Sequence, residues 1–122
     1  MKPEYRVIIA GSREFDDYTL LEEECDHLLS KKRKTHRIII ISGTAKGADK
    51  LGEKYAKAKG YLIEKYPADW NKFKKAAGYI RNESMAKIGN ALIAFRINMS
   101  KGTTHMINLA HKYKLQVAVI NL

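Results

Sequence analysis

The feature that most constrains this chain is a short, nearly continuous apolar run that recurs five times, with segments of helical spacing between the recurrences. Residues 5–10 (YRVIIA) run into Gly11, residues 37–41 (RIIII) into Ser42-Gly43, and residues 61–66 (YLIEKY) into Pro67. Residues 91–95 (ALIAF) precede a polar loop, and residues 116–120 (QVAVI) form the fifth run. Runs of this length without polar alternation read as strands buried on both faces, the pattern of a parallel sheet.

The intervening segments carry a period near 3.6. Leu20, Leu21, Cys25, Leu28 and Leu29 form one stripe, opened by Asp16, Asp17 and a Thr19–Glu22 capping-box pair. Ala48, Leu51, Tyr55 and Ala56 form a second; Ile80, Met85 and Ile88 a third; Met106, Ile107, Ala110 and Tyr113 a fourth. Strict alternation of strand and helix demands right-handed crossovers, so the expected fold is a three-layer, doubly wound, Rossmann-like α/β sheet of about five parallel strands. With 122 residues, 45% of them hydrophobic, and only two prolines, residues 1–122 make one globular domain.

Composition narrows the setting. No apolar run approaches the length of a membrane span, and MKPEYRVIIAGS is too short in its apolar part for a signal peptide, so a cytoplasmic protein without a membrane partner is expected. The one cysteine, Cys25, has no internal disulfide partner. Twenty-three Lys and Arg against thirteen Asp and Glu leave a formal charge of +10, which favours anionic partners.

In a doubly wound sheet the carboxyl ends of all strands share one edge, and ligands bind there where the strand order reverses. Three of those ends carry glycine: Gly11-Ser12-Arg13, then Ser42-Gly43-Thr44-Ala45-Lys46-Gly47-Ala48-Asp49, then Lys101-Gly102-Thr103-Thr104. Glycine lets backbone N–H groups approach a phosphate, and the helix that follows adds its positive end. Ser12, Ser42, Thr44, Thr103 and Thr104 offer hydroxyls; Arg13, Lys46, Arg81 and Lys101 offer charge. The 42–49 loop lacks the Gly-Lys-Ser/Thr ending of a P-loop, and no G-x-G-x-x-G is present, which argues against an ATPase and an ordinary NAD dehydrogenase. Residues 68–85 (ADWNKFKKAAGYIRNESM) are polar and aromatic at first and turn helical late. There Asp69 suits a turn or cap, Trp70 a lid or a base-stacking surface, and Arg81 with Asn82 falls near the same edge.

Taken in order, GSR at Gly11, SGTAKGAD at Ser42, ADW at Ala68, AGYIRNESM at Ala77 and KGTTHMI at Lys101 resemble the YspA-related, YpsA-like branch of the SLOG superfamily of Rossmann-like domains, over essentially the whole chain. The resemblance implies binding of a nucleotide or nucleotide-derived ligand, such as ADP-ribose, NAD or AMP, often in a phage or bacterial setting. The superfamily also holds phosphoribohydrolases, which release a base from a nucleoside monophosphate, and a DNA-processing protein that binds single strands. Arg81-x-x-x-Met85 is similar to the arginine motif of those hydrolases. Their P-G-G-x-G-T-x-x-E motif is not kept: Asn98-Met99 stands for the glycine pair and Met106 for the catalytic glutamate. A thioether neither accepts a proton nor stabilises an oxocarbenium-like sugar, leaving Asp49 and Glu83 as substitute acids.

Cys25 on its apolar stripe reads as a small buried hydrophobe. His27, His36, His105 and His111 lack ligand spacing, so no metal site is expected, and only His105 stands beside a candidate loop. The run Lys31, Lys32, Arg33, Lys34 suits a helix C-terminus; no aromatic residue interleaves with it, as a nucleic-acid patch would favour. The expected function is therefore a nucleotide-ligand-binding module acting as a sensor or processing unit. Its rivals are a nucleic-acid-binding protein using its basic surface and a weak N-glycosidic hydrolase; a homo-oligomer is left open.

Overall fold

The computed structural model describes residues 2–122. Five strands run through it: β1 Glu4–Gly11, β2 Arg37–Ser42, β3 Leu62–Lys65, β4 Ala91–Arg96 and β5 Gln116–Asn121. They form one sheet in the order β3-β2-β1-β4-β5, every pair parallel. Val7 to Ile9 of β1 and Ile39 to Ile41 of β2 are fully buried or nearly so, as expected for central strands covered on both faces. The edge strands differ. β3 has one neighbour and Leu62 is 47% exposed, and β5 is only half-buried, so the two-sided burial read from sequence holds for the three inner strands alone.

The helices are α1 Tyr18–Leu29, α2 Lys32–Thr35, α3 Ala48–Lys59, α4 Trp70–Phe73, α5 Ala77–Ile88 and α6 Lys101–Lys112, with a 3-10 turn over Lys74–Ala76. α1 and α3 bury Leu21, Cys25, Leu29, Tyr55 and Ala56 on one face of the sheet; α5 and α6 bury Met85, Ala86, Met106, Ile107 and Ala110 on the other. Among the described residues no helix is long and apolar enough to cross a membrane.

Three local expectations change. α1 is capped by Asp17, whose carboxylate accepts from Leu20 N–H at 3.0 Å; Thr19 lies inside the helix, so no Thr19–Glu22 capping box forms. Lys32 to Thr35 make a separate helical turn rather than the tail of α1. On α5 the buried face is Ala77, Asn82, Met85 and Ala86, while Ile80 and Ile88 are exposed. Apolar residues are scattered around this helix, so spacing could not choose its buried side.

The chain steps outward from β1 to β2 and β3, then returns across the sheet to β4 and continues to β5. The reversal lies between β1 and β4, where outgoing connections diverge to opposite faces and leave a crevice at the carboxyl edge.

Candidate functional site

The crevice is a cavity of about 390 Å³, within the range of small-ligand sites. Its floor is apolar, made by Ala10, Met85 and Met106. One wall is the end of β1, Gly11 to Glu14; the opposite wall is the start of α6, with Ser100, Gly102 and Thr103. Asp49, Arg81 and Asn82 close the back, and Trp70, Lys75, Gly78 and Tyr79 form the rim.

Two glycine loops reach this edge and behave differently. After β2, Gly47 caps α3 with φ +89°, and a Cβ there would overlap the carbonyl oxygens of Ser12 and Arg13. Ala48 N–H donates to Ser12 O at 3.4 Å, and the Asp49 carboxylate accepts from Ala45 N–H at 3.2 Å. The first amide of α3 is thus met by the Ser12 carbonyl, and the Ala45 N–H in the loop before it by the Asp49 carboxylate. Ser42 is buried, donating to Glu53 at 2.7 Å, and Thr44 N–H donates to Ser42 Oγ. Gly43 leaves no room for a Cβ, which would come 2.7 Å from both Arg81 Nη1 and Asp49 Oδ2.

After β4 the geometry is open. No side chain caps α6, and a Cβ on Gly102 would meet nothing within 4 Å. A chain of hydroxyls ties the two walls together: Ser12 Oγ and Ser100 Oγ are 2.7 Å apart, Ser100 Oγ donates to Thr103 Oγ1 at 2.9 Å, and Ile97 N–H donates to Ser12 Oγ. Asn98 and Met99, in the approach to α6, hold φ of +50° and +55°, backbone that side chains rarely adopt.

Arg81 and Asn82 together span the gap between the two segments. Arg81 Nη1 donates to Gly43 O at 2.5 Å and its Nε to Asn82 Oδ1 at 2.9 Å; among the described residues Nη2 makes no hydrogen bond. Burial pushes the Asp49 carboxyl up to about 6, against the opposing pull of the Ala45 N–H and Arg81. Burial likewise draws the Arg81 guanidinium below its ordinary value, with Asp49 opposing. Asn82 Nδ2 donates toward Gly102 O and to His105 Nδ1, whose ring meets Tyr79 edge to face at 4.4 Å.

Of the residues singled out from sequence, Gly11, Ser12, Arg13, Asp49, Trp70, Arg81, Asn82, Gly102 and Thr103 line the cavity. Ser42, Gly43, Thr44 and Gly47 stand behind it as loop structure, and Lys46 is exposed in the turn before α3. Asp69 caps α4 through Lys72 N–H, Lys101 is exposed at the start of α6, and Thr104 accepts from Arg96. Glu83 accepts from Tyr113 OH away from the cavity, which leaves Asp49 the better placed of the two substitute acids. His105 sits behind Asn82 rather than on the lining. Sequence reading missed Tyr79, Lys75, Ser100 and the apolar floor. Tyr79 follows Gly78 within AGYIRNESM, and that aromatic-after-glycine pattern was the available signal.

The model of the YspA, cpYpsA-related SLOG family matches residues 5–73, more than half of the sequence. The chain belongs to that family. This SLOG domain is also similar to Gene 61 protein of Mycobacterium phage D29, 31% identical over 118 residues, covering 92% of this chain and 93% of the phage protein. Among solved structures it resembles DNA processing protein A (DprA) from Streptococcus pneumoniae, with a TM-score of 0.56 and 13% identity. That likeness covers 96% of this chain but 58% of DprA, and at such identity it shows the shared fold. The family match ends at α4, so the residues that α5 and α6 bring to the SLOG cavity rest on the geometry of this chain.

Proposed function

We propose that the cavity binds a nucleotide or nucleotide-derived ligand, with AMP, ADP-ribose and NAD as the first candidates, and that the domain works as a sensor or processing module. The observation that carries this reading is the unsealed start of α6 facing an apolar-floored cavity with arginine on two sides. A phosphate placed there would meet the positive helix end, the Ser12, Ser100 and Thr103 hydroxyls, Arg13, and the free Nη2 of Arg81. A base would lie toward Trp70 and Tyr79, which are about half exposed at the rim. SLOG membership and the DprA-like fold fit a nucleotide-related or nucleic-acid-related function.

The cavity volume, near the lower limit for ligand sites, favours a mononucleotide or one half of a dinucleotide. The Met106 floor disfavours N-glycosidic hydrolysis, because the carboxylates on the lining are Asp49 and Glu14 and neither stands on α6. The test is calorimetry and thermal melting against AMP, ADP-ribose and NAD. A ligand held only by the folded state at about a hundred times its Kd adds about 2.7 kcal/mol and raises Tm by several degrees. A flat response across the panel would sink the assignment.

A further inference from the structure

The whole net charge of the protein sits at the opposite pole from the cavity. Take the amino edge of the sheet as the last three residues of α1, α3, α5 and α6, the connections that follow them into the next strands, and the start of the chain through Glu4. These stretches, residues 2–4, 27–37, 57–62, 86–91 and 110–116, hold eleven Lys and Arg and one carboxylate, Glu4. The rest of the sequence carries twelve cations and twelve carboxylates. The excess of +10 is therefore a feature of one edge.

Helix dipoles account for part of this, since Lys57, Lys59, Lys87 and Lys112 lie in the last turns of helices. They do not account for Lys31, Lys114 or Lys2, which with Lys34 of the short α2 are exposed cations that make no ion pair among the described residues. Of these edge cations, Lys59 is engaged by the carboxylates of Glu22 and Asp26 on α1, and Arg37 by Glu4 at 4.0 Å. So many like charges on one face repel one another in the free protein, and an anionic polymer relieves that repulsion while releasing its counterions.

The basic run 31–34 lacks aromatic neighbours in sequence, but folding supplies them. Lys32 Nζ lies 4.9 Å above the Tyr5 ring, and Tyr5 meets His36 edge to face. Two grooves, of about 660 and 600 Å³, open along this edge, and the α2 segment contributes to both. Arg33, His36 and Tyr61 line one, Lys31, Lys32 and Tyr5 the other. Cations for a backbone stand beside the half-buried rings of Tyr5 and Tyr61, which line the grooves, and the helix that lies wholly at this edge among the described residues, α2, is four residues long.

We infer that the amino edge of the sheet is a binding surface for single-stranded nucleic acid, separate from the nucleotide cavity. An oligothymidylate of about twenty nucleotides, fluorescently labelled and free of base pairing, is the probe, read by anisotropy across a salt series. Log affinity falls linearly with log salt, by about 0.7 for each phosphate neutralised. Lys31→Glu with Lys34→Glu lowers the affinity at least tenfold and flattens that slope; Lys54→Glu with Lys72→Glu, the same charge change away from the edge, leaves it within about twofold. Arg81→Ala keeps full oligothymidylate binding, which separates this surface from the cavity. Absence of binding at low salt overturns the inference, as does an equal loss in the control pair. So does tighter binding to duplex of the same length, or binding to phosphatidylglycerol vesicles without binding to the oligonucleotide.

Discussion

Residues 42–49 after β2 and residues 100–104 at the start of α6 both combine glycine, hydroxyls and lysine, yet the folded chain closes one segment and leaves the other open. In the first, Gly47 at φ +89° lets the backbone press against the end of β1, the Ser12 carbonyl meets the first amide of α3, and the Asp49 carboxylate takes the Ala45 N–H before it. In the second, the start of α6 has no cap and Gly102 touches nothing. Glycine next to a helix start is thus two different devices. It is a spacer where backbone meets backbone, and an access point where backbone meets a cavity.

The comparison is broken most directly at its two glycines. Gly47→Ala combines a forbidden backbone with a clash against two carbonyls, so urea denaturation should show a loss of about 3 kcal/mol or more. Gly102→Ala, in the first turn of α6, should leave stability unchanged or raise it by up to about 1 kcal/mol, and should alter ligand affinity instead. Equal destabilisation by the two would abolish the distinction.

The closed loop carries a proton linkage at Asp49. Burial raises the Asp49 carboxyl from an ordinary carboxylate value to about 6 in the folded protein. Between about pH 4 and 6 the folded state holds the proton more tightly than the unfolded chain, so Asp49 costs stability progressively as pH rises through that window. The span corresponds to about 2 to 3 kcal/mol. Asp49→Asn should match the parent near pH 4 and exceed it by up to that amount above pH 6. Parallel melting curves for the two proteins from pH 4 to 7 would rule the linkage out. An anionic ligand in the cavity should bind more tightly below pH 6, where Asp49 is neutral.

Arg81 bonds the Gly43 carbonyl directly and reaches the start of α6 through Asn82, so its replacement should register in both stability and binding. Arg81→Ala strands the Gly43 carbonyl and removes the cation beside Asp49, so ligand-free Tm falls; it also removes the Nη2 contact, so affinity for AMP or ADP-ribose falls by about 1.5 to 3 kcal/mol. Arg81→Lys restores charge without the fork and should recover part of the affinity. Calorimetry showing unchanged affinity with a lowered Tm would make Arg81 a brace alone. The smallest effect expected is catalytic: with Met106 on the cavity floor, AMP incubated with the protein should yield no free adenine above background. Robust base release by chromatography would return Asp49 to the role of an acid.

Sequence by itself determined the layers. Five apolar runs and the helical stripes between them specify a parallel sheet covered on both faces, because burying strands and one side of each helix leaves few other arrangements of such a pattern. It also brought Gly11, Ser12, Arg81, Asn82 and Thr103 into view as residues of one edge. What periodicity could not resolve was α5, whose apolar residues encircle the helix, and the edge strands, whose exposure depends on having one neighbour rather than two. Only tertiary structure decided which glycine loop is sealed, since that turns on the approach of β1 to residue 47, far apart in the chain. It likewise decided that every unit of net charge gathers at the amino edge. Antiparallel crossover helices deliver their C-terminal lysines to the place where the connections into β1, β2 and β5 deliver theirs, and Tyr5 and Tyr61 arrive with them. Local sequence holds the residue types, but the distance between residues remote in sequence exists only after the chain has folded.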